Sequence, residues 1–325
     1  MKNSIKAVEI ESFGGPENMQ LVDKPVPVPG PGEVRVRLAA IGVNLIDTYH
    51  RTGLYQVPLP SGLGVEGAGE VEAVGTGVDL PVGARVALTL ALGAYAEAIV
   101  IPATSLIHLP DSIGFEQAAA ILLKGMTVDY LFNDTFPLKG GETVLFHAAA
   151  GGVGLIACQW ARHIGVNLIG TASTDEKCAL AESHGAKKCV LSGAQNLAET
   201  LKALAPEGGF PVVYDSVGKD TYHLGLEVLA PLGTFASFGN ASGAIEAVSP
   251  QDLAANGSLS FTRPTLATYM GIPGWLQQSS AKVLQLVEDG VLSVEINQRY
   301  GLDEVRRVHE DLEARATTGC SIITP

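Results

Sequence analysis

The stretch AAAGGVG at residues 148–154 restricts the fold of this chain more than any other feature. It follows a strand pattern, TVLFHAA, and opens a helical pattern, VGLIACQWARHIG. A second strand pattern, VNLIGTA, comes next. A strand, a tight glycine turn and a helix that leads to another strand form a βαβ unit, whose two strands run parallel. The turn therefore predicts a parallel sheet covered by helices.

The spacing within this turn is that of the dinucleotide-binding fingerprint, with alanine at the first position. A small first residue permits the tight turn, Gly151 lets the backbone approach a pyrophosphate, and Gly154 lets the helix pack closely on the strand. The first N–H groups of the helix point at the phosphates, and the helix dipole favours negative charge there. We predict that the turn binds a dinucleotide through Ala149, Gly151, Gly152, Val153 and Gly154.

No acidic residue stands at the expected end of the second strand, Ala172. An acid there would bind the ribose 2′-hydroxyl of NAD and repel a 2′-phosphate. The following STDE, residues 173–176, matches the capping box S-x-x-E, so its two acids have a role in starting the next helix. The hydroxyls of Ser173 and Thr174 and the charge of Lys177 then remain for a phosphate. This pattern predicts NADPH as the cofactor.

The chain is long enough, at 325 residues, for two domains. Its first 110 residues have short, partly alternating strand patterns broken by Gly and Pro, which favour an antiparallel, barrel-like domain. Strand and helix patterns alternate from about residue 112 onwards, as in an α/β sheet. Beyond residue 264 this alternation stops, and two amphipathic helix patterns and a final strand pattern, TTGCSIITP, follow.

Composition excludes several classes of protein. The net charge of −13 disfavours nucleic acid and anionic membrane as partners. None of the four cysteines forms a CxxC pair, so a structural zinc or a redox dithiol is not expected. The N-terminus lacks the apolar core of a signal peptide, and no apolar run reaches the length of a membrane span. We expect a cytoplasmic protein.

Several motifs together resemble one family. They are NLIDTYHRTGLY (44–55), LPSGLGVEGAG (59–69), FEQAAAILLKGMTV (115–128), HAAAGGVGLIACQWA (147–161), VVYDSVG (212–218), SFGNASG (237–243) and TRPTL (262–266). With these motifs the chain closely resembles, over essentially its whole length, the zinc-independent NADPH:quinone reductases of the medium-chain dehydrogenase/reductase superfamily.

The resemblance implies an α/β fold with two domains. A GroES-like β-barrel domain would comprise residues 1–124 and be completed by residues 264–325. A Rossmann domain with a doubly wound parallel sheet would comprise residues 125–263 and bind NADPH. Family members are typically homodimers, so a homodimer is expected here too.

The resemblance also implies that no metal takes part. Zinc alcohol dehydrogenases of this superfamily hold their catalytic metal with an early Cys and with the His of a G-H-E motif. Here GVNLIDTY has no Cys, and the second motif reads GVEGAG, with Val65 where the His belongs. Glu66 alone cannot form a metal site.

Residue roles follow from the same resemblance. Asn44 is similar to the family residue that contacts the nicotinamide end of the cofactor, and Asp47 is expected to brace Asn44 or Tyr49. Hydride transfer to a carbonyl develops negative charge on its oxygen, which O–H or N–H donors stabilise. We therefore predict Asn44, Tyr49 and Tyr55 as catalytic residues, with His50 the one histidine of interest.

Further cofactor contacts are carried over from the family, and all of them lie outside the glycine turn. They are Thr127, Tyr130, Ser216, Phe238, Gly239, Asn240, Arg263 and Arg315. The chain departs from the family pattern at Ser192, where several members have a tyrosine near the adenosine phosphate. This departure leaves the strictness for NADPH over NADH open.

The predicted function is NADPH-dependent reduction of a quinone-like acceptor, by hydride or by one-electron transfer. The alternative within the superfamily is a reductase of enone or enal double bonds. A nucleotide-gated RNA-binding or structural protein is a third hypothesis, which the charge of −13 disfavours.

Overall fold

The computed structural model describes residues 3–325. Its strands are β1 (Ser4–Ile10), β2 (Gln20–Pro25), β3 (Glu33–Gly42), β4 (Ser61–Gly62), β5 (Glu66–Val74), β6 (Arg85–Thr89), β7 (Ala98–Pro102), β8 (Ile107–His108), β9 (Thr143–Phe146), β10 (Asn167–Ala172), β11 (Lys188–Leu191), β12 (Phe210–Asp215), β13 (Leu229–Ser237), β14 (Ser260–Thr262), β15 (Ile296–Gly301) and β16 (Cys320–Thr324).

The α-helices are α1 (Leu45–Thr52), α2 (Phe115–Asp129), α3 (Gly152–His163), α4 (Asp175–Ser183), α5 (Leu197–Leu204), α6 (Tyr222–Val228), α7 (Pro250–Ala255), α8 (Leu266–Met270), α9 (Trp275–Glu288) and α10 (Val305–Glu313). A π-helical segment, Tyr130–Thr135, continues α2. Within residues 3–325, no helix has both the length and the apolar character needed to cross a bilayer.

The chain divides into two compact units. The first unit comprises residues 1–123, 276–284 and 294–325, and the second comprises residues 124–275 and 285–293. The first unit is therefore assembled from both ends of the chain, whereas the second is nearly continuous.

The first unit is built from antiparallel strands. Its larger sheet has the order β15-β16-β3-β5-β6-β8 with β7 also paired to β3, and a smaller sheet has the order β2-β1-β4. Among the described residues of this unit, only β15 and β16 pair in parallel. Along β3, buried Val34 and Val36 alternate with Arg35 and Arg37, as expected for a strand with one face on the core. The prediction of an antiparallel first domain is confirmed.

The second unit contains a six-stranded sheet with the order β11-β10-β9-β12-β13-β14. All of its strand pairs are parallel. Numbered within the sheet, this order is 3-2-1-4-5-6, which is the order of the Rossmann fold. Buried Leu145, Ile169, Val213 and Phe235 from successive strands lie in its core. The predicted doubly wound parallel sheet is confirmed.

Candidate functional site

The glycine turn lies at the carboxyl end of β9, where ligands of doubly wound sheets bind. Ala148 adopts a left-handed conformation with φ of 56°, and Gly151 precedes α3 as its N-terminal cap residue. The backbone N–H of Ala149 donates to the carbonyl of Thr171 on β10 at 2.9 Å, which fixes the turn against the sheet. In the part of the chain that the structure describes, the N–H groups of residues 152–154 have no acceptor. These N–H groups are therefore available to a phosphate.

Gly154 is the tightest position of this turn. A Cβ atom built on Gly154 would lie 2.5 Å from the carbonyl oxygen of Ala149 and 2.6 Å from that of Ala148. Both neighbours are backbone atoms, so they cannot rotate away. The close packing of α3 on the turn, which the fingerprint predicts, therefore depends on the missing side chain.

The end of β10 lies beside the turn. The strand ends at Ala172 as predicted, and the exposed Ser173 and Thr174 follow it. The prediction that Ser173 caps the next helix is wrong by one residue. The backbone stays extended through Thr174, so α4 begins at Asp175, and the Thr174 hydroxyl accepts the N–H of Lys177 at 3.2 Å.

The residue after β11 is held at the same edge of the sheet. The N–H of Ser192 donates to the carbonyl of Ala172 at 2.8 Å. Ser192 is exposed and thus lies next to the segment that begins with Ser173. A tyrosine at this position would add an aromatic ring at this edge of the sheet, and the serine supplies only a hydroxyl.

The loops after β12 and β13 complete this edge. A Cβ on Gly239 would lie 2.5 Å from the carbonyl oxygen of Ser216, so these two predicted residues are in backbone contact. The N–H of Phe238 donates to the carbonyl of Asp215 at 2.7 Å, and its ring packs against Phe146. Asn240 follows directly.

Buried Asp215 shapes the loop that contains Ser216. Its carboxylate accepts the N–H of Gly218 at 2.9 Å and the hydroxyl of Thr221 at 2.6 Å. An Asp at the end of a buried strand, followed by a glycine, was the available sequence signal for this role. Arg263 also lies at this edge, because its guanidinium donates to the carbonyl of Ser237 at 3.0 Å.

Thr127 and Tyr130 lie elsewhere in the second unit, on α2 and at the start of the π-helical segment. Both are buried. The ring of Tyr130 stacks on that of Tyr269, with centroids 4.7 Å apart and planes at 9°. Sequence reasoning missed Tyr269, because no local pattern links two aromatic residues so far apart in the chain.

In the first unit, the motif NLIDTYHRTGLY folds largely into helix α1. Asn44 is its N-terminal cap residue, and the Asp47 carboxylate accepts the N–H of Asn44 at 2.9 Å. Asp47 therefore braces Asn44, which was one of the two expectations for it. Gly53, with φ of 80°, ends the helix.

Tyr49 and Tyr55 are brought together by this helix and its exit. Their rings meet edge to face with centroids 5.2 Å apart. His50 packs edge-on against Tyr55, and burial lowers its pKa. Arg315 belongs to the same unit, follows α10 and is exposed, with φ of 57°.

A polar cluster packs against the buried side of α1 and consists of Asp47, Arg51, Tyr95, His309 and Glu313. The hydroxyl of Tyr95 donates to the carboxylate of Asp47 at 2.9 Å and lies 3.2 Å from Nε2 of His309 on α10. The side chain of Arg51, 1% exposed, pairs with the carboxylate of Glu313. Burial, with a smaller contribution from Arg51, lowers the pKa of His309 to about 3. His309 is therefore neutral in the folded protein near pH 7.

This depressed pKa predicts an acid-sensitive stability. An unfolded histidine takes up a proton below about pH 6.5, whereas folded His309 does not until about pH 3. The free energy of unfolding should therefore fall as pH falls, by up to about 1.4 kcal/mol per pH unit for this group. The free energy of unfolding, measured by urea titration at pH values from about 4 to 7, should change less with pH in His309→Gln than in the wild type. His108 is exposed, so His108→Gln should keep the wild-type pH dependence of the free energy of unfolding. The same pH dependence in all three proteins would contradict the prediction.

His147 and the four cysteines are buried in the protein core. His147 is buried, its Nδ1 lies 2.9 Å from the hydroxyl oxygen of Thr171, and burial lowers its pKa. His147 is therefore a buried packing residue directly after β9. All four cysteines are free thiols and are buried. Burial raises the pKa of Cys158 to about 12, which fits a core position on α3.

Glu66, which stands in the position of the G-H-E motif, is held by hydrogen bonds within the protein. Glu66 is completely buried, and its two carboxylate oxygens accept N–H groups from the side chain of Asn44 at 2.8 Å and from the backbone of Leu123 at 2.7 Å. Within residues 3–325, no group of three or more His, Cys, Asp or Glu side chains is arranged to hold a metal ion.

Two family models match the chain. Residues 30–111 match the alcohol dehydrogenase GroES-like domain, and residues 152–287 match the zinc-binding dehydrogenase model. Both matches place the chain among dehydrogenases of this two-domain architecture.

Full-length relatives narrow the assignment. A quinone oxidoreductase of Pseudomonas aeruginosa is 52% identical over 98% of this chain and 99% of its own length. The crystal structure of Escherichia coli quinone oxidoreductase complexed with NADPH has a TM-score of 0.96 and 45% identity, covering 98% of this chain and 100% of that one. A 2-haloacrylate reductase of a Burkholderia species is 40% identical over 99% of both chains. The chain belongs to the quinone oxidoreductases of the medium-chain dehydrogenase/reductase superfamily.

Proposed function

We propose that this protein is an NADPH-dependent quinone reductase. The full-length identity of 52% to a quinone oxidoreductase carries the proposal. When bound, NADPH would supply the reducing electrons from its nicotinamide ring, as hydride or one at a time. The protein has to bind the cofactor, orient the acceptor and stabilise charge on the acceptor oxygen.

The residues of the second unit fit NADPH. The N–H groups of residues 152–154 have no acceptor in the described chain and are suited to a pyrophosphate at the start of α3. Beyond Ala172 stand two exposed hydroxyl residues, and Lys177 follows in the first turn of α4, after Asp175 and Glu176. The strand end itself has no acid to repel a 2′-phosphate. We assign the phosphates to the turn, to Ser173, Thr174 and Lys177, and to Arg263 and Arg315.

For the remaining cofactor contacts we retain the predicted set. Ser216, Phe238, Gly239 and Asn240 form the loops at the carboxyl ends of β12 and β13, a common location for nucleotide contacts. Thr127, Tyr130 and Asn44 are proposed to contact the nicotinamide end. In this division of roles, residues 125–263 bind the cofactor, and residues 1–124 with 264–325 form the catalytic domain.

The acceptor is proposed to lie against the α1 segment. Tyr49 is nearly buried and packs edge to face on half-buried Tyr55, so the pair forms an aromatic wall suited to a planar ring. Asn44 and the tyrosine hydroxyls are the proposed hydrogen-bond donors to the acceptor oxygen. Their role is to stabilise the charge that develops there during reduction.

Catalysis without zinc is part of the proposal. Val65 replaces the histidine ligand of the zinc enzymes, and both oxygens of Glu66 are engaged by N–H groups of the protein itself. A zinc ion bound by protein side chains needs at least three suitable ligands. Val65 cannot bind zinc, and both oxygens of Glu66 already accept hydrogen bonds.

Assembly and location extend the proposal. Strand β14 is the last strand of the parallel sheet, and an open edge of this kind suits pairing with a second copy in a homodimer. The four free thiols suit a reducing cytoplasm. The charge of −13 supports the absence of nucleic-acid and anionic-membrane partners.

A second candidate activity has its own support. The 2-haloacrylate reductase at 40% identity is named for a substrate with an activated carbon–carbon double bond. This observation favours reduction of enones or enals as the alternative.

One experiment separates the two activities. The protein is incubated with NADPH and a panel of quinones, enones and enals, with and without EDTA, while NADPH absorbance is followed and products are identified. We expect turnover with quinones and no loss in EDTA. Turnover confined to enones or enals would support the alternative, and no turnover of any quinone would contradict the main proposal.

A further inference from the structure

Glu66 is buried directly beneath Asn44 at the start of β5. In the pairing of β3 with β5, Glu66 lies opposite Gly42. A Cβ on Gly42 would lie 2.5 Å from Oε2 of Glu66, so the absence of a side chain on β3 makes room for this carboxylate. The buried carboxyl group is thus accommodated by the local geometry of the two strands.

The hydrogen bonds of Glu66 determine the orientation of the Asn44 amide. Oε1 accepts the backbone N–H of Leu123, and Oε2 accepts Nδ2–H of Asn44. Because both oxygens of Glu66 act as acceptors, the amide turns its nitrogen, and not its oxygen, towards Glu66. The Asn44 backbone is fixed independently by Asp47.

One hydrogen of the Asn44 amide nitrogen remains after this pairing. Among residues 3–325 no acceptor is found for it, and Asn44 is only 6% exposed. A nearly buried N–H without a protein acceptor is costly, and a ligand oxygen would satisfy it.

We infer that Glu66 is a positioning residue, which orients Asn44 so that its second Nδ2–H donates to a carbonyl oxygen of a bound ligand. This inference rests on the proposed function for the identity of that ligand. Two ligands of the reaction have such an oxygen: the carboxamide of the nicotinamide and the quinone. The shared chemistry is one N–H donated to one carbonyl.

The test uses two variants of the full-length protein. In Glu66→Gln, the glutamine oxygen takes the N–H of Leu123 and its NH₂ group faces Asn44. The Asn44 amide must then turn its oxygen to the glutamine, so an acceptor replaces the donor. In the double variant Glu66→Gln with Asn44→Asp, the glutamine NH₂ donates to the aspartate, so the buried pair stays hydrogen-bonded and residue 44 can present only an acceptor.

We expect both variants to lose about 100-fold in kcat/KM for the quinone or in affinity for NADPH, as on removal of an oriented donor. Because both variants keep a hydrogen-bonded pair between residues 66 and 44, both should lose function without a large loss of thermal stability. Recovery of wild-type binding and turnover by the double variant would overturn the inference, because a purely structural pair would then suffice. Glu70→Gln, which removes an exposed carboxylate on the same strand, is the control and should behave as the wild type.

Two measurements distinguish the ligand and separate this inference from the proposed function. A larger NADPH dissociation constant in the variants than in the wild type identifies the carboxamide as the acceptor of the N–H. An unchanged dissociation constant with a lower kcat identifies the quinone as the acceptor. If the wild type reduces no quinone, the proposed function fails, and the NADPH dissociation constants of the variants still test the role of Glu66. Unchanged NADPH binding in both variants would then refute it.

Discussion

Replacing Gly154 with alanine is expected to weaken NADPH binding about 100-fold, or roughly 2.7 kcal/mol. The added methyl group would lie 2.5 and 2.6 Å from the carbonyl oxygens of Ala149 and Ala148. Since neither oxygen can rotate away, α3 has to move outwards, and its first N–H groups move with it. The proposed pyrophosphate site depends on these N–H groups, so affinity should fall. Fluorescence titration with NADPH measures the effect.

The variant should remain folded, because overpacking of this size costs about 1–3 kcal/mol against a typical stability of about 5–15 kcal/mol. Gly193→Ala is the matched control in the same unit. A Cβ at Gly193 meets no atom within 4 Å, so this variant should bind NADPH as the wild type does. A folded Gly154→Ala protein with wild-type affinity would contradict the proposed location of the pyrophosphate.

Replacing Lys177 with alanine is expected to raise the KM for NADPH about 10- to 150-fold and to leave the KM for NADH nearly unchanged. The reason is that only NADPH has the 2′-phosphate, and a hydrogen bond to a charged group contributes about 1.5–3 kcal/mol. Lys177 is half-buried in the first turn of α4, where its backbone N–H is held by Thr174. Initial rates with each cofactor at saturating quinone provide the two KM values.

Lys202→Ala is the control for this prediction. It also removes one positive charge from the second unit, but Lys202 pairs with Glu227 on the surface. Its kinetics with both cofactors should match the wild type. If Lys177→Ala changed both KM values equally, the 2′-phosphate would have to be recognised elsewhere.

The parallel sheet and its glycine turn were predictable because their signals are local. The strand β9, the turn and helix α3 follow one another within about 20 residues, and each has its own pattern. The end of β10 at Ala172 was predicted from the same alternation of strand and helix patterns. The start of α4 was displaced by one residue because Ser173 and Thr174 are both good cap residues, and the choice between them depends on how far the strand stays extended.

Helix α1 was missed because eight residues are too few for a clear helical period. An available signal was the pair Asn44 and Asp47, spaced as a capping residue and an acid three positions later. The contacts of Glu66 with Asn44 and of Tyr95 with His309 had no local signal at all. They join residues that are distant in the chain, so only the folded topology brings them together.

The origin of the first unit from both ends of the chain has a consequence for folding order. Strand β16, the last of the chain, pairs with β3, and α10 contributes His309 and Glu313 to the cluster behind α1. During synthesis, the segment that contains Asn44 therefore leaves the ribosome long before its supporting residues exist. The nearly continuous second unit has its sheet complete first. We therefore expect the second unit, which contains the proposed cofactor site, to fold before the first unit, which contains Asn44.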